Sequence, residues 1–175
     1  MRKIIIFIFL ASSFFYSCSE KTETAADWIN KEQLLWDGQK YKDPQKAIEY
    51  LNNAIKLQQN NAETYHKRGT AYYNLGDYQC TIKDDSEAIH LAPKYAEAYN
   101  NRGSANVRLG QYHSAVDDYN QAIRLKPNHA VFYNNRAVVY LSLSKKEPGC
   151  NDAKKACELG DCVTIEEAKV KGYCR

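Results

Sequence analysis

The sequence predicts an all-α fold, a stack of helical hairpins, and three observations carry that reading. The body repeats itself with a period of about 34 residues, turn formers are scarce, and apolar residues recur at helical spacing. Sliding the chain by one period lays Ala62–Tyr95 over Ala96–His129, and fourteen of the 34 positions are identical. Eight Gly and four Pro in 175 residues argue against a turn-rich β-sandwich. A hydrophobic share of 44% with 26% charged residues excludes a wholly disordered chain.

The first element in order is a leader. Met1, Arg2 and Lys3 precede an apolar run from Ile4 to Tyr16. At roughly 13 residues the run is short of the ~20 residues a membrane-spanning helix needs, and it suits the core of a signal peptide. The run ends at Ser17-Cys18 and gives way to Ser19-Glu20-Lys21-Thr22-Glu23-Thr24. A small residue directly before the Cys resembles the bacterial lipobox. The resemblance implies a signal peptide over 1–17, an acylated Cys18 as mature N-terminus, and a polar tether over 18–27. Phe15 and Tyr16 stand where that motif prefers Leu and a small residue, so an ordinary secretory signal with Cys18 incidental is the alternative. The formal charge of +3 also changes meaning, because Arg2 and Lys3 lie in this acid-free leader. The remaining body is close to neutral, which removes the case for a nucleic-acid partner.

The hairpins follow. A worn first unit, about 28–61, keeps Ala47, Ile48, Ala54, Ile55 and Leu57 in its second half. Its first half holds Trp28, Leu34, Leu35 and Trp36 without the pattern. In the unit 62–95, Tyr65, Gly69, Tyr72 and Leu75 form one helical stripe. Ile82, Ala88 and Ile89 form another after a break at Gly76-Asp77. The unit 96–129 repeats this closely, and 130–161 keeps Tyr133, Asn134, Asn135, Arg136, Leu143, Asp152, Ala156 and Leu159. Pro93 and Pro127 end the second helices. Gly69, Gly103, Ala88 and Ala122 allow close helix approach. No unit can bury its apolar face alone, so the units must stack.

Tyr99, Gly103, Ala115, Tyr119, Ala122 and Pro127 in one unit resemble the signature of the tetratricopeptide repeat, a helix–turn–helix of this period. The resemblance covers roughly 28–161 and implies a right-handed superhelical stack. Two departures stand out: Asp85 replaces the aromatic seen as Tyr119, and Gly149 replaces the Ala seen as Ala115. Looser packing is expected around Asp85 and in the last pair.

A charge ladder runs through the repeats. Arg68, Arg102 and Arg136 recur on first helices, and Asp84, Asp118 and Asp152 follow them at one constant spacing. In an antiparallel hairpin turning near Gly76, positions 68 and 84 face each other, which predicts an Arg–carboxylate pair inside each unit. These pairs are expected to be structural rather than a basic binding stripe.

The domain, 28–175, should close with a cap helix within 163–174. Thr164-Ile165-Glu166-Glu167 has capping-box spacing, so the helix is expected from about Ile165 to Lys171, ending at Gly172. Cys150 and Cys157 are two helical turns apart, about 10.5 Å, too far to bridge each other. Folding the cap back at Gly160-Asp161 predicts Cys150–Cys174 and Cys157–Cys162 disulfides. A zinc site is the lesser alternative, since no Cys-x-x-Cys pair is present. Cys80 is left as a buried or half-buried thiol, with intermolecular pairing as the sharper alternative.

Nothing in the sequence looks catalytic. His66, His90, His113 and His129 are scattered, and no phosphate loop or nucleophile motif occurs. No enzyme activity, cofactor or metal is expected. The resemblance instead implies an interaction scaffold that holds an extended peptide or a partner domain on the concave face lined by first helices. Mapped onto this chain, that face carries Glu63, His66, Thr70, Tyr73 and Asn74. The next unit adds Glu97, Asn100, Ser104, Val107 and Arg108, and the third adds Val131, Asn134, Val138, Leu141 and Ser142. The Asn side chains are expected to hydrogen-bond a partner's backbone, or merely to be tolerated there. The family form that clamps a terminal carboxylate is rejected. His66 and Thr70 stand where it has Lys and Asn, Val131 where it has Lys, and only Asn101 fits. The leader then places the scaffold outside the cytoplasm, lipid-anchored to a membrane, the outer membrane by preference. A cysteine-stapled protein resembling the Sel1-like secreted repeats, binding cell wall or surface, is the alternative.

Overall fold

The computed structural model describes residues 22–175, so the leader and Cys18 lie outside the described residues. Helix α1 (Ala25–Gln33) starts on a capping box, with Thr24 and Asp27 each satisfying the other's backbone N–H. It therefore begins inside the stretch read as tether, because 24–27 carries its own start signal. Helix α2 (Pro44–Leu57) is capped by Asp43 with Pro44 at its first position. Helices α3 (Ala62–Leu75) and α4 (Tyr78–Leu91) are capped by Asn61 and Asp77. Then come α5 (Ala96–Arg108), α6 (Tyr112–Leu125), α7 (Ala130–Ser142), α8 (Lys146–Glu158) and α9 (Val163–Val170). None of these five has a side-chain cap bond. Their ends rest on packing instead.

Successive helices pair antiparallel as α1/α2, α3/α4, α5/α6 and α7/α8, with α9 folded onto the last pair. Each second helix packs on the next first helix, and α3, α5, α7 and α9 also touch in sequence, which makes them the inner row. The hairpin turns use a left-handed residue at Gly76 (φ 82°) and Gly110 (φ 75°). The third equivalent position is Ser144, which takes φ 59° without being a glycine.

Arg68, Arg102 and Arg136 each fork onto a carboxylate of their own hairpin. The contacts are 2.7 Å to both oxygens of Asp84, 2.6 Å to Asp118 and 2.7 Å to Asp152. Each guanidinium also reaches back to the preceding hairpin, donating to Asn52, Ser86 or Asn120. Tyr65, Tyr99 and Tyr133 lie under the three guanidiniums at 5.5–5.9 Å. Burial is the largest single influence and works against each charge. The hydrogen bond and charge of the paired Asp, with smaller contributions from neighbouring groups, together outweigh it and hold all three above the ordinary arginine value. The ladder thus joins neighbouring units as well as the two helices of one unit.

Neither expected loose spot is loose. Asp85 is fully buried, its carboxylate against Gly69, with His66 Nδ1 at 2.7 Å and the Asn101 amide at 2.6 Å. A polar network fills the space that Tyr119 fills against Gly103 one unit later, where a Cβ would meet the ring at 2.9 Å. Gly149 is equally tight, because Leu141 moves in until a Cβ there would meet it at 2.8 Å. The cap helix also differs from expectation. It starts at Val163, with no side-chain cap and with Thr164 inside its first turn. Cys162, its N-cap residue, is bridged to Cys157 (Cα–Cα 4.0 Å), so the helix starts directly from the staple. The second bridge joins Cys150 to Cys174 (Cα–Cα 5.6 Å) beside Ile165, Ala168 and Ala153. Cys80 is half-buried and free, and burial with Asp77 nearby pushes its thiol above the usual range.

The worn first unit is a hairpin with a short α1 and a structured connector. Trp36 and Tyr41 form a β-bridge around the Asp37-Gly38 turn. The Tyr41 N–H then donates to Asn74 of α3, fastening the connector to the next unit.

Candidate binding groove

The inner helices α3, α5 and α7 present residues at i, i+3 and i+4 spacing on one side, and three hollows open along that row. The first, about 380 Å³, lies between α1, its connector and α3, and it includes His66 and Thr70 with Glu32, Trp36, Tyr41, Lys67 and Tyr95. The second, about 220 Å³, lies among α3, α5 and α7 and is lined by Tyr73, Ser104, Val107, Arg108, Tyr119 and Val138. The third, about 270 Å³, lies between α7 and α9 and is lined by Val138, Leu141, Thr164, Glu167 and Tyr173. Val138 borders both of the last two and is 48% exposed.

Chemistry changes along the row. At the first hollow, Glu32 is buried, accepts from the Tyr41 hydroxyl, and is 3.1 Å from the Lys67 ammonium. His66 turns its Nδ1 down to Asp85 and sets its ring edge-on to Tyr95 at 4.9 Å. Burial pushes the Asp85 carboxyl up to about 6, against the pull of the His66 and Asn101 hydrogen bonds. At the second hollow, Ser104 and Tyr119 share a 3.2 Å hydrogen bond. Burial pushes the Tyr119 phenol up to about 12. Arg108 lies 5.7 Å over the Tyr78 ring. The third hollow is walled on one side by the disulfide-held cap, which contributes Thr164, Glu167, Lys171 and Tyr173.

The asparagines do not form an open row of amides. Asn74 holds the Tyr41 backbone, and the Asn100 side-chain oxygen accepts from Asn135 at 2.9 Å. The Asn134 side-chain oxygen is buried without a hydrogen-bond partner. Ten of the fifteen residues expected on this face (Glu63, His66, Thr70, Tyr73, Ser104, Val107, Arg108, Val138, Leu141 and Ser142) line at least one of the three hollows. The sequence reading missed Glu32, Trp36, Tyr41, Lys67 and Tyr95. Trp36 and Tyr41 sit in the stretch where the repeat is lost, so no register pointed to them. Lys67 and Tyr95 are in register, but they reach the groove from the flank of α3 and from a loop. Among the described residues, no cluster of three metal-ligating side chains occurs, and no helix is long and apolar enough to cross a membrane.

The tetratricopeptide repeat family model matches residues 96–129, and a second TPR repeat model matches 43–76. No curated protein matches the chain. Among solved structures, MamA is similar at 26% identity and a TM-score of 0.71, over 84% of this chain and 81% of MamA. YrrB, a TPR protein with an unusual peptide-binding site, is similar at 18% identity and a TM-score of 0.67, over 83% and 70%. The first TPR of Spaghetti (RPAP3), bound to an HSP90 peptide, is similar at 22% identity and a TM-score of 0.65, over 69% and 94%. The last two likenesses are likenesses of fold.

Proposed function

Because this chain is a tetratricopeptide-repeat protein, we propose that it is a non-catalytic scaffold whose inner face holds an extended segment of a protein partner. One observation carries the reading: three hollows lie in line along α3, α5 and α7, with unpaired apolar surface at Val138 between two of them. An extended segment advances about 3.3 Å per residue and can set alternate side chains into successive hollows. Structures of the same fold include one with a peptide-binding site and one bound to a peptide, which supports this mode. The leader adds the place of action. It is read as directing export, with acylated Cys18 tethering the stack to the periplasmic side of a membrane, where it recruits a partner for envelope assembly or secretion. The Sel1-like alternative expects cysteine pairs in successive repeats, whereas both bridges here lie in the last hairpin and cap.

Crosslinking pull-down from envelope fractions tests the groove. Val138→Asp places a charge in two hollows at an exposed position, and it should cut partner recovery at least about tenfold with unchanged helicity. Undiminished recovery would remove the groove from the reading. Incorporation of an alkyne-tagged fatty acid that is lost in Cys18→Ala is the matching test of the anchor.

A further inference from the structure

The first hollow differs in kind from the other two, and we infer that it receives a cationic side chain, an arginine or lysine of the bound segment. The inference rests on the groove reading above and names the chemistry of one end. Its volume, about 380 Å³, accommodates a guanidinium with its methylene stem. Its walls include the Trp36 ring, 38% exposed and set edge-on to Tyr41 at 4.9 Å, and the Tyr95 ring, set edge-on to His66 at 4.9 Å. Aromatic faces are negative and attract a cation laid over them.

The ionic groups agree on the sign. Lys67 and His66, the basic side chains in the hollow, are already engaged. Lys67 lies between Glu32 at 3.1 Å and Glu63 at 3.6 Å, and His66 is turned to Asp85 at 2.7 Å. Neither is free to hold an anion. Glu63 is the reverse case: its side chain is 66% exposed at the rim, and its contact with Lys67 is long. Burial chiefly, with the charges of Glu63, Glu97 and Asp85 adding to it, holds the Tyr95 phenol above the ordinary range. A cation entering here meets the Trp36 and Tyr95 rings and shares the exposed Glu63 carboxylate with Lys67, which keeps its shorter contact to Glu32.

The next hollow begins at Tyr73 of the same helix, and its Val107 wall lies one inner helix further along, a spacing on the order of 10 Å for packed helices. That distance is about three residues of extended chain. The preferred segment therefore carries its basic residue about three positions from an aliphatic one.

The test titrates the purified protein with three acetylated tetrapeptide amides and follows amide and indole shifts by NMR. The peptides are Arg-Gly-Gly-Leu, the same with citrulline in place of Arg, and the same with Glu. The arginine peptide should shift the Trp36 indole and the Thr70 amide, and bind about fivefold tighter than the citrulline peptide. Glu63→Gln should weaken the arginine peptide about threefold and leave the citrulline peptide unchanged. Equal affinity of the arginine peptide with either analogue overturns the inference. So does a Glu63→Gln variant that discriminates as before, or an arginine peptide that shifts nothing at this hollow at millimolar concentration. The two readings fail separately: partner capture that needs Val138 but shows no charge selection keeps the groove and removes the cation site.

Discussion

Ser144 occupies a position where its two counterparts, Gly76 and Gly110, are glycines in the same left-handed conformation. For a residue with a Cβ that conformation costs ~1–2 kcal/mol, partly offset by the smaller entropy that serine loses on folding. Ser144→Gly should therefore stabilise the protein by about 0.5–1 kcal/mol, read as a higher urea midpoint. An unchanged midpoint would mean the turn is not strained. Asp85 stores a different tension. Its folded carboxyl titrates near 6, above the ordinary carboxylate range, because burial outweighs the His66 and Asn101 hydrogen bonds and Asp84 adds a like charge. The folded chain holds this proton more tightly than the unfolded chain does. The stabilisation is thus fully present below the ordinary carboxylate range and is lost as pH rises through about 6. Its size is on the order of 3 kcal/mol. Asp85→Asn keeps an oxygen for Asn101 and removes the charge, so the drop in stability between about pH 4.5 and about pH 7.5 should shrink. If the variant keeps the full parental drop, the tension lies elsewhere.

At the scale of elements, the two ends of the stack are secured by unlike means. The first four helices carry side-chain caps, and α1 is tied to α3 by the Glu32–Lys67 contact. The last five have no such caps, and α9, the shortest, is held to α8 by two covalent bridges. A helix as short as α9 does not persist in water unaided. Cys174→Ser opens a bridge spanning 24 residues and should cost about 3 kcal/mol. Hydrogen exchange should show the loss first in α9, with α3 and α4 still protected. Equal loss of protection throughout would show that the stack unfolds only as one unit. The position of the cap was legible from the cysteine spacing, since a helix folded back at Gly160 brings 174 near 150. Its start was not, because Thr164 and Glu167 mimic a capping box while the Cys162 bridge sets the first turn.

For the molecule as a whole, the repeat was the readable part. Positions equidistant from Gly76 face each other, so Arg68 and Asp84 could be paired from spacing alone. The backward reach of each arginine to Asn52, Ser86 or Asn120 crosses a unit boundary, and reading unit by unit hid it. The groove was legible where the repeat is regular, at Tyr73, Ser104, Val107, Arg108 and Val138. It was hidden at the first hollow, whose Trp36 and Tyr41 belong to a connector with no counterpart in the other units. Asp85 and Gly149 mislead for one reason: a departure from a pattern looks like a gap in the sequence, while in the fold neighbouring side chains have moved to fill it.

The arginine ladder also carries a rule for how such a chain can grow. Each guanidinium reaches equally far along the chain in both directions, to a carboxylate ahead and to a polar oxygen behind. Removing Ala62–Tyr95 would set Arg102 opposite Asn52 while leaving it Asp118, and duplicating that stretch would supply each new arginine with both acceptors. Length can therefore change by whole units without any bond having to be invented. An insertion of any other size within a helix would shift its arginine or its acceptors out of register and strand a charge. The ladder works as a ruler, and it admits new material in one increment only.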